Sequence, residues 1–141
     1  MTRFKAAAGA ILSLVAMVSM VPSAFAHHSF AAEYDSNKQV TVKGVVQKVA
    51  WVNPHAYVFI DVKDESGKAT TWACESLSPN ALARQGWTRN SLKVGETVTV
   101  EAYMAKDGKP LADGSIHANS RLITTADGRK VFVGSSADEA K

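Results

Sequence analysis

Apolar and polar residues alternate along most of the chain after residue 38, and this alternation predicts a β-rich domain. In the clearest strand, alternate residues form one apolar face, which consists of Ala56, Val58, Ile60 and Val62. Such a face is expected to point into a core, because successive side chains of a strand point to opposite sides. The other strands are predicted from Gln39 towards Trp51 and at residues 69–75, 97–103, 117–124 and 131–133.

A short helix is predicted between the third and fourth strands. Ser78 can cap its beginning, Pro79 suits its first position, and Gly86 suits the position after its end. The resulting order of elements predicts an all-β fold, a small OB-like five-stranded barrel with one short helix between strands 3 and 4. A small β-sandwich is the structural alternative.

The beginning of the chain has the three parts of a secretory signal. Arg3 and Lys5 precede an apolar run at residues 6–21, and Ala24 and Ala26 form a small-x-small ending. We therefore expect cleavage after Ala26. The mature protein is expected to be periplasmic or secreted, and soluble without membrane attachment after this cleavage. A single membrane anchor is the alternative, but the small-x-small ending has no role in an anchor.

The mature chain is predicted to hold one domain. Residues 1–26 would be the cleaved signal peptide, residues 27–38 an N-terminal arm, residues 39–133 the barrel, and residues 134–141 a disordered tail. Phe30 and Tyr34 are expected to attach the arm to the barrel.

The charge balance argues against a nucleic-acid partner. Two of the 16 basic residues lie in the predicted signal, which leaves 14 basic against 13 acidic side chains in the mature chain. A protein that binds the phosphates of a nucleic acid needs an excess of positive charge, so we expect no nucleic-acid partner.

Several short motifs in one order give the chain a family likeness. They are His27-His28-Ser29-Phe30 with Tyr34-Asp35, Trp51-Val52-Asn53-Pro54-His55, Ser78-Pro79-Asn80 with Leu82 and Gly86-Trp87, and Asp127-Gly128-Arg129. With these motifs the chain resembles the bacterial exported proteins grouped as domain-of-unknown-function family 6152. The resemblance implies export and a single small β domain, and it implies no catalytic residue.

The predicted new terminus carries the main chemical hypothesis. A chain that begins at His27 offers a free α-amine and an imidazole in one residue, and His28 or His55 can supply further donors. The amine titrates near pH 8 in model peptides, so a metal can displace its proton around neutrality. Nitrogen-rich sites of this kind favour Cu(II), so copper is the predicted cofactor. His117 is a fourth candidate donor, ranked below His55, and an inert His-His terminus is the alternative.

The face of the clearest strand that points away from the core carries Tyr57 and Phe59 beside His55. This aromatic face predicts a second kind of function, in which the domain binds a small ligand or an unknown envelope protein without a metal. A copper redox enzyme is a third hypothesis, but so small a domain offers no evident substrate groove. Cys74 is expected to fill core space. No catalytic residue is predicted, and binding is favoured over catalysis.

Overall fold

The computed structural model describes residues 30–135. Residues 30–33 form a helical turn that leads directly into the first strand. The strands and the helix that follow are β1 (Tyr34–Ala50), β2 (Tyr57–Lys63), β3 (Ala69–Glu75), α1 (Pro79–Arg84), β4 (Thr97–Ala105), β5 (Ile116–Thr125) and β6 (Lys130–Val133).

The sheet closes into a five-stranded barrel. β1 pairs antiparallel with both β2 and β4, β2 pairs with β3, and β4 pairs with β5. The last gap is closed by a parallel pairing of β3 with β5, in which Cys74 lies opposite Ala118. β6 extends the sheet beyond β5. With α1 between the third and fourth strands, this is the predicted OB-like barrel and not the alternative sandwich.

The barrel interior is filled by the apolar faces that the alternation predicts. Val58 and Ile60 of β2 are fully buried, together with Val46, Val98, Val100 and Ile123 of the neighbouring strands. Cys74 lies in the same core. Burial of aliphatic side chains contributes about 1.5–3 kcal/mol each, which makes this interior the main source of stability.

The helix is built from the predicted signals. The side-chain oxygen of Ser78 accepts a hydrogen bond from the backbone of Ala81, and Pro79 is the first helical residue. Leu82 is buried in the core, and Gly86 has a positive φ of 84° just after the helix ends. α1 therefore packs against the core through Leu82.

β1 is longer than the pattern predicts. It begins at Tyr34, which pairs with Ala105 of β4, whereas the alternation indicates a beginning at Gln39. The register shifts between Asp35 and Gln39. A second shift lies between Val46 and Lys48. These irregularities let one long strand pair with β4 over its first part and with β2 over its second.

In the part of the chain that the structure describes, no helix is both long enough and apolar enough to cross a membrane.

Candidate metal centre

The site is centred on the carboxylate of Glu75, the last residue of β3. Glu75 pairs with Tyr57 of β2 on one side and with Asn119 of β5 on the other. The residue is only 4% exposed. Because a buried carboxylate is costly without partners, its surroundings must supply donors or positive charge.

Both oxygens of Glu75 have close partners. Oε1 lies 2.8 Å from Nδ1 of His55. Oε2 accepts hydrogen bonds from the hydroxyls of Tyr34 at 2.5 Å and Tyr57 at 2.9 Å. Nε2 of His117 lies 3.5 Å from the same oxygen. Two imidazoles and two phenols thus converge on one carboxylate.

These contacts decide the charge of Glu75. Burial alone would raise the pKa of its carboxyl, but hydrogen bonds from His117, His55 and Tyr34 outweigh burial and hold the pKa well below its usual range. The side chain is therefore a buried anion around neutral pH.

His117 links this anion to the surface. Its Nε2 lies 2.6 Å from the hydroxyl of Tyr34, and its Nδ1 lies 3.7 Å from Oε1 of Glu33. The rings of Tyr34 and Tyr57 stand at centroid distances of 5.2 and 6.2 Å from the imidazole. The ring is thereby held between two carboxylates.

Glu33 comes from the helical turn before β1, and about half of its side chain is exposed. Burial and the neighbouring Glu75 raise the pKa of Glu33, whereas His117 lowers it in part. One ligand atom each from Glu33, Glu75 and His117 lie within 4.8 Å of one another, which is compatible with a metal ion between them. Metal bonds to nitrogen and oxygen are about 2.0–2.2 Å long, so two ligand atoms on opposite sides of an ion lie about 4 Å from each other.

An open cavity of about 460 Å³ adjoins this cluster. It is lined by Ala32, Glu33, Ala105, Lys106, Asp107 and His117. The cavity gives an ion from solvent a path to the Glu33 side of the imidazole.

The structure gathers some of the predicted site residues. His27 and His28 lie outside the described residues. His55 contacts Glu75, as does Tyr57, while Phe59 lies beside Tyr57 at a ring distance of 6.1 Å with the amine of Lys48 over its face. On the aromatic face of β2, Tyr57 therefore contacts the cluster directly, whereas Phe59 contacts Tyr57.

The sequence interpretation did not single out Glu75, Glu33 or the hydroxyl of Tyr34. One signal for Glu75 was available: Cys74 points inward, so its neighbour must point to the outer face that carries Tyr57. The role of Glu33 depends on where the helical turn meets β5, and local pattern does not reveal such a contact.

Comparison with known proteins identifies the family. Residues 14–114 match the family of unknown function DUF6152, and the chain belongs to this family. No curated protein gives a significant match. Among solved structures, the chain is similar to the mitochondrial single-stranded DNA binding protein Rim1 from S. cerevisiae, with a TM-score of 0.46, 11% identity, and coverage of 63% of this chain and 93% of that chain.

Proposed function

We propose that this DUF6152 protein is exported and binds a transition metal ion, with Glu75 and His117 as central ligands. The observation that carries the proposal is the buried anionic carboxylate of Glu75, around which two imidazoles and a second carboxylate are gathered. Imidazole and carboxylate donors together suit divalent zinc, copper, iron and manganese.

The arrangement of charge is compatible with an ion in the cluster. Two carboxylates, of Glu33 and Glu75, flank the ring of His117, and His55 contacts Glu75 from the other side. A divalent ion can balance both negative charges, and the cavity beside Glu33 gives it access to the cluster.

The predicted mature terminus can add donors to the same cluster. The ring of Phe30 lies 5.4 Å from that of Tyr34 and 5.6 Å from that of Tyr103, so the described end of the arm is held against the barrel. Phe30 lies three positions after His27, and an extended chain of that length reaches about 10 Å. An amine and imidazole from His27 would make the site richer in nitrogen, which favours Cu(II). Copper is therefore the proposed ion.

The test is a calorimetric titration of the protein that begins at His27 with Cu(II) and with Zn(II). We expect binding of one ion per chain. Glu75→Gln and His117→Gln should each weaken metal affinity by about 100-fold. Loss of a residue that only hydrogen-bonds to a metal ligand already weakens affinity by up to about this factor. Glu33→Gln tests the second carboxylate of the cluster at a half-exposed position, where the substitution leaves the core intact. Glu65→Gln, at an exposed position in the β2–β3 turn, is the matched control and should bind as the wild type does.

A second comparison isolates the terminus. A chain with one extra residue before His27 should bind Cu(II) more weakly, since the amine is then displaced. Equal affinity in both chains would remove His27 from the ligand set. Affinity that is unchanged by Glu75→Gln and His117→Gln in folded protein would refute the proposal and leave ligand binding at Tyr57 and Phe59 as the alternative.

A further inference from the structure

We propose that Tyr34 is itself a ligand of the metal, through its phenolate oxygen, and that the site therefore selects an oxidised cation such as Cu(II) or Fe(III). This inference rests on the proposed metal-binding function. It adds to that function a further protein ligand and a chemical class of metal.

The geometry around Tyr34 leads to this assignment. Its hydroxyl oxygen lies 2.5 Å from Oε2 of Glu75 and 2.6 Å from Nε2 of His117. These two atoms are themselves 3.5 Å apart. Ligand atoms at right angles around an ion with bonds of about 2.1 Å are about 3 Å apart. The three atoms thus form a triangle that accepts an ion on one face after the two short edges open by about half an ångström.

The burial of Tyr34 favours a direct role for its hydroxyl oxygen. The residue is 1% exposed, and its hydroxyl bonds to the two atoms that would bind the ion. An ion that took Glu75 and His117 without Tyr34 would displace the contact between this hydroxyl and Nε2 of His117, and would leave Oε2 of Glu75 as its partner. Coordination of the phenolate oxygen replaces the lost contact with a metal–oxygen bond.

Tyr57 provides the contrast. Its hydroxyl donates to the same Oε2 of Glu75, but at 2.9 Å and from a partly buried position. Tyr34 has a second contact, to His117, which places its oxygen between the two proposed ligands. Tyr57 is accordingly a positioning residue for the carboxylate and the natural control.

The donor set defines the chemistry. Phenolate and carboxylate are hard anionic oxygens, and with one imidazole they suit an oxidised cation better than the soft Cu(I). On binding, the metal–oxygen bond replaces the phenol O–H bond, and the proton leaves to solvent past the half-exposed Glu33. One proton should therefore be released from Tyr34 for each ion bound, with no change in oxidation state.

A phenolate bound to Cu(II) or Fe(III) absorbs visible light through charge transfer from the oxygen to the metal. We expect such a band to grow to saturation at one equivalent of Cu(II), or of Fe(III) supplied as its nitrilotriacetate complex. Tyr34→Phe should abolish the band and Tyr57→Phe should retain it. Zn(II), whose d shell is filled, should bind without producing a band.

Resonance Raman spectra of the wild-type protein give the same answer without a variant, because light absorbed by the band enhances tyrosinate vibrations. Enhanced tyrosinate modes support the inference. Binding by calorimetry without a band or tyrosinate modes, or a band that survives in Tyr34→Phe, would overturn it while leaving the proposed function intact. Absence of any binding by calorimetry would refute both.

Discussion

Glu75 and Cys74 show how far neighbouring residues of one strand can differ. Cys74 faces the barrel interior and is fully buried, whereas Glu75 faces outward into the polar cluster. This difference follows from the alternation of side chains along β3. A shift of the strand by one residue would place a carboxylate in the apolar core, so the register of β3 is strongly determined.

The thiol of Cys74 should be chemically inert in the folded protein. Burial raises its pKa from 9.0 to about 12, so the reactive thiolate is essentially absent at pH 8. A thiol reagent should modify the chain at pH 8 only after denaturant is added. Modification of the folded protein as fast as the unfolded protein would contradict this burial.

The same shift has a consequence for stability at alkaline pH. An unfolded thiol loses its proton near pH 9, whereas the folded one keeps it until about 12. The folded state therefore binds more protons at Cys74 in this window, and the contribution of this thiol to stability falls as pH rises above 9. The urea midpoint of Cys74→Ala should decline less steeply between pH 8 and 10.5 than that of the wild type. Parallel declines would show that other groups dominate.

The two tyrosines on Glu75 should differ in their contribution to folding. Tyr34→Phe removes two hydrogen bonds within the buried cluster and should lower the free energy of unfolding by about 2 kcal/mol. Tyr57→Phe removes one bond at a partly buried position and should cost about 1 kcal/mol. Urea unfolding of the metal-free variants measures both. The reverse order would mean that Tyr57 holds the carboxylate.

Among the elements, β1 depends on a close approach to β2 at Gly44. A Cβ at this position would lie 2.6 Å from the backbone oxygen of Asp61. Gly44→Ala should therefore destabilise the protein by about 1–3 kcal/mol, because backbone must move to accept the methyl group. The adjacent exposed substitution Lys43→Ala is the control and should change stability by less than about 0.5 kcal/mol. Equal unfolding midpoints for the two variants would show that β1 moves freely away from β2.

The elements themselves were largely predictable from sequence. Alternation located the strand at Ala56 to Val62, and the signals at Ser78, Pro79 and Gly86 located the helix. The early beginning of β1 was not predictable, because Tyr34 joins the sheet through pairing with Ala105, 71 positions along the chain. Pairing over such a distance leaves no local pattern.

The site illustrates the same limit. His55 was selected because it shares a strand face with Tyr57, and both contact Glu75. His117 ranked lower because the sequence places it on no such aromatic face. Its position depends on the parallel pairing of β3 and β5, which sets it opposite Ala73. Barrel closure, which alternation does not encode, brings the two histidines to one carboxylate.

At the scale of the whole molecule, the cluster joins the arm to the barrel. Glu33 and Tyr34 come from the beginning of the described chain, and Glu75 and His117 come from strands on the barrel wall. The backbone of Lys106 also bonds to the carbonyl of Glu33, and its side chain bonds to that of Ala31. An ion bound at this junction would connect the two parts of the protein.

The proposed metal centre is tested most directly by X-ray diffraction. Crystals of the protein that begins at His27 are grown with Cu(II), and data are measured on both sides of the copper absorption edge. We expect one anomalous peak per chain, within bonding distance of Glu75 and His117. A peak only at surface histidines away from Glu75 would contradict the proposed metal centre. So would the absence of any peak when the crystallisation solution contains one equivalent of copper.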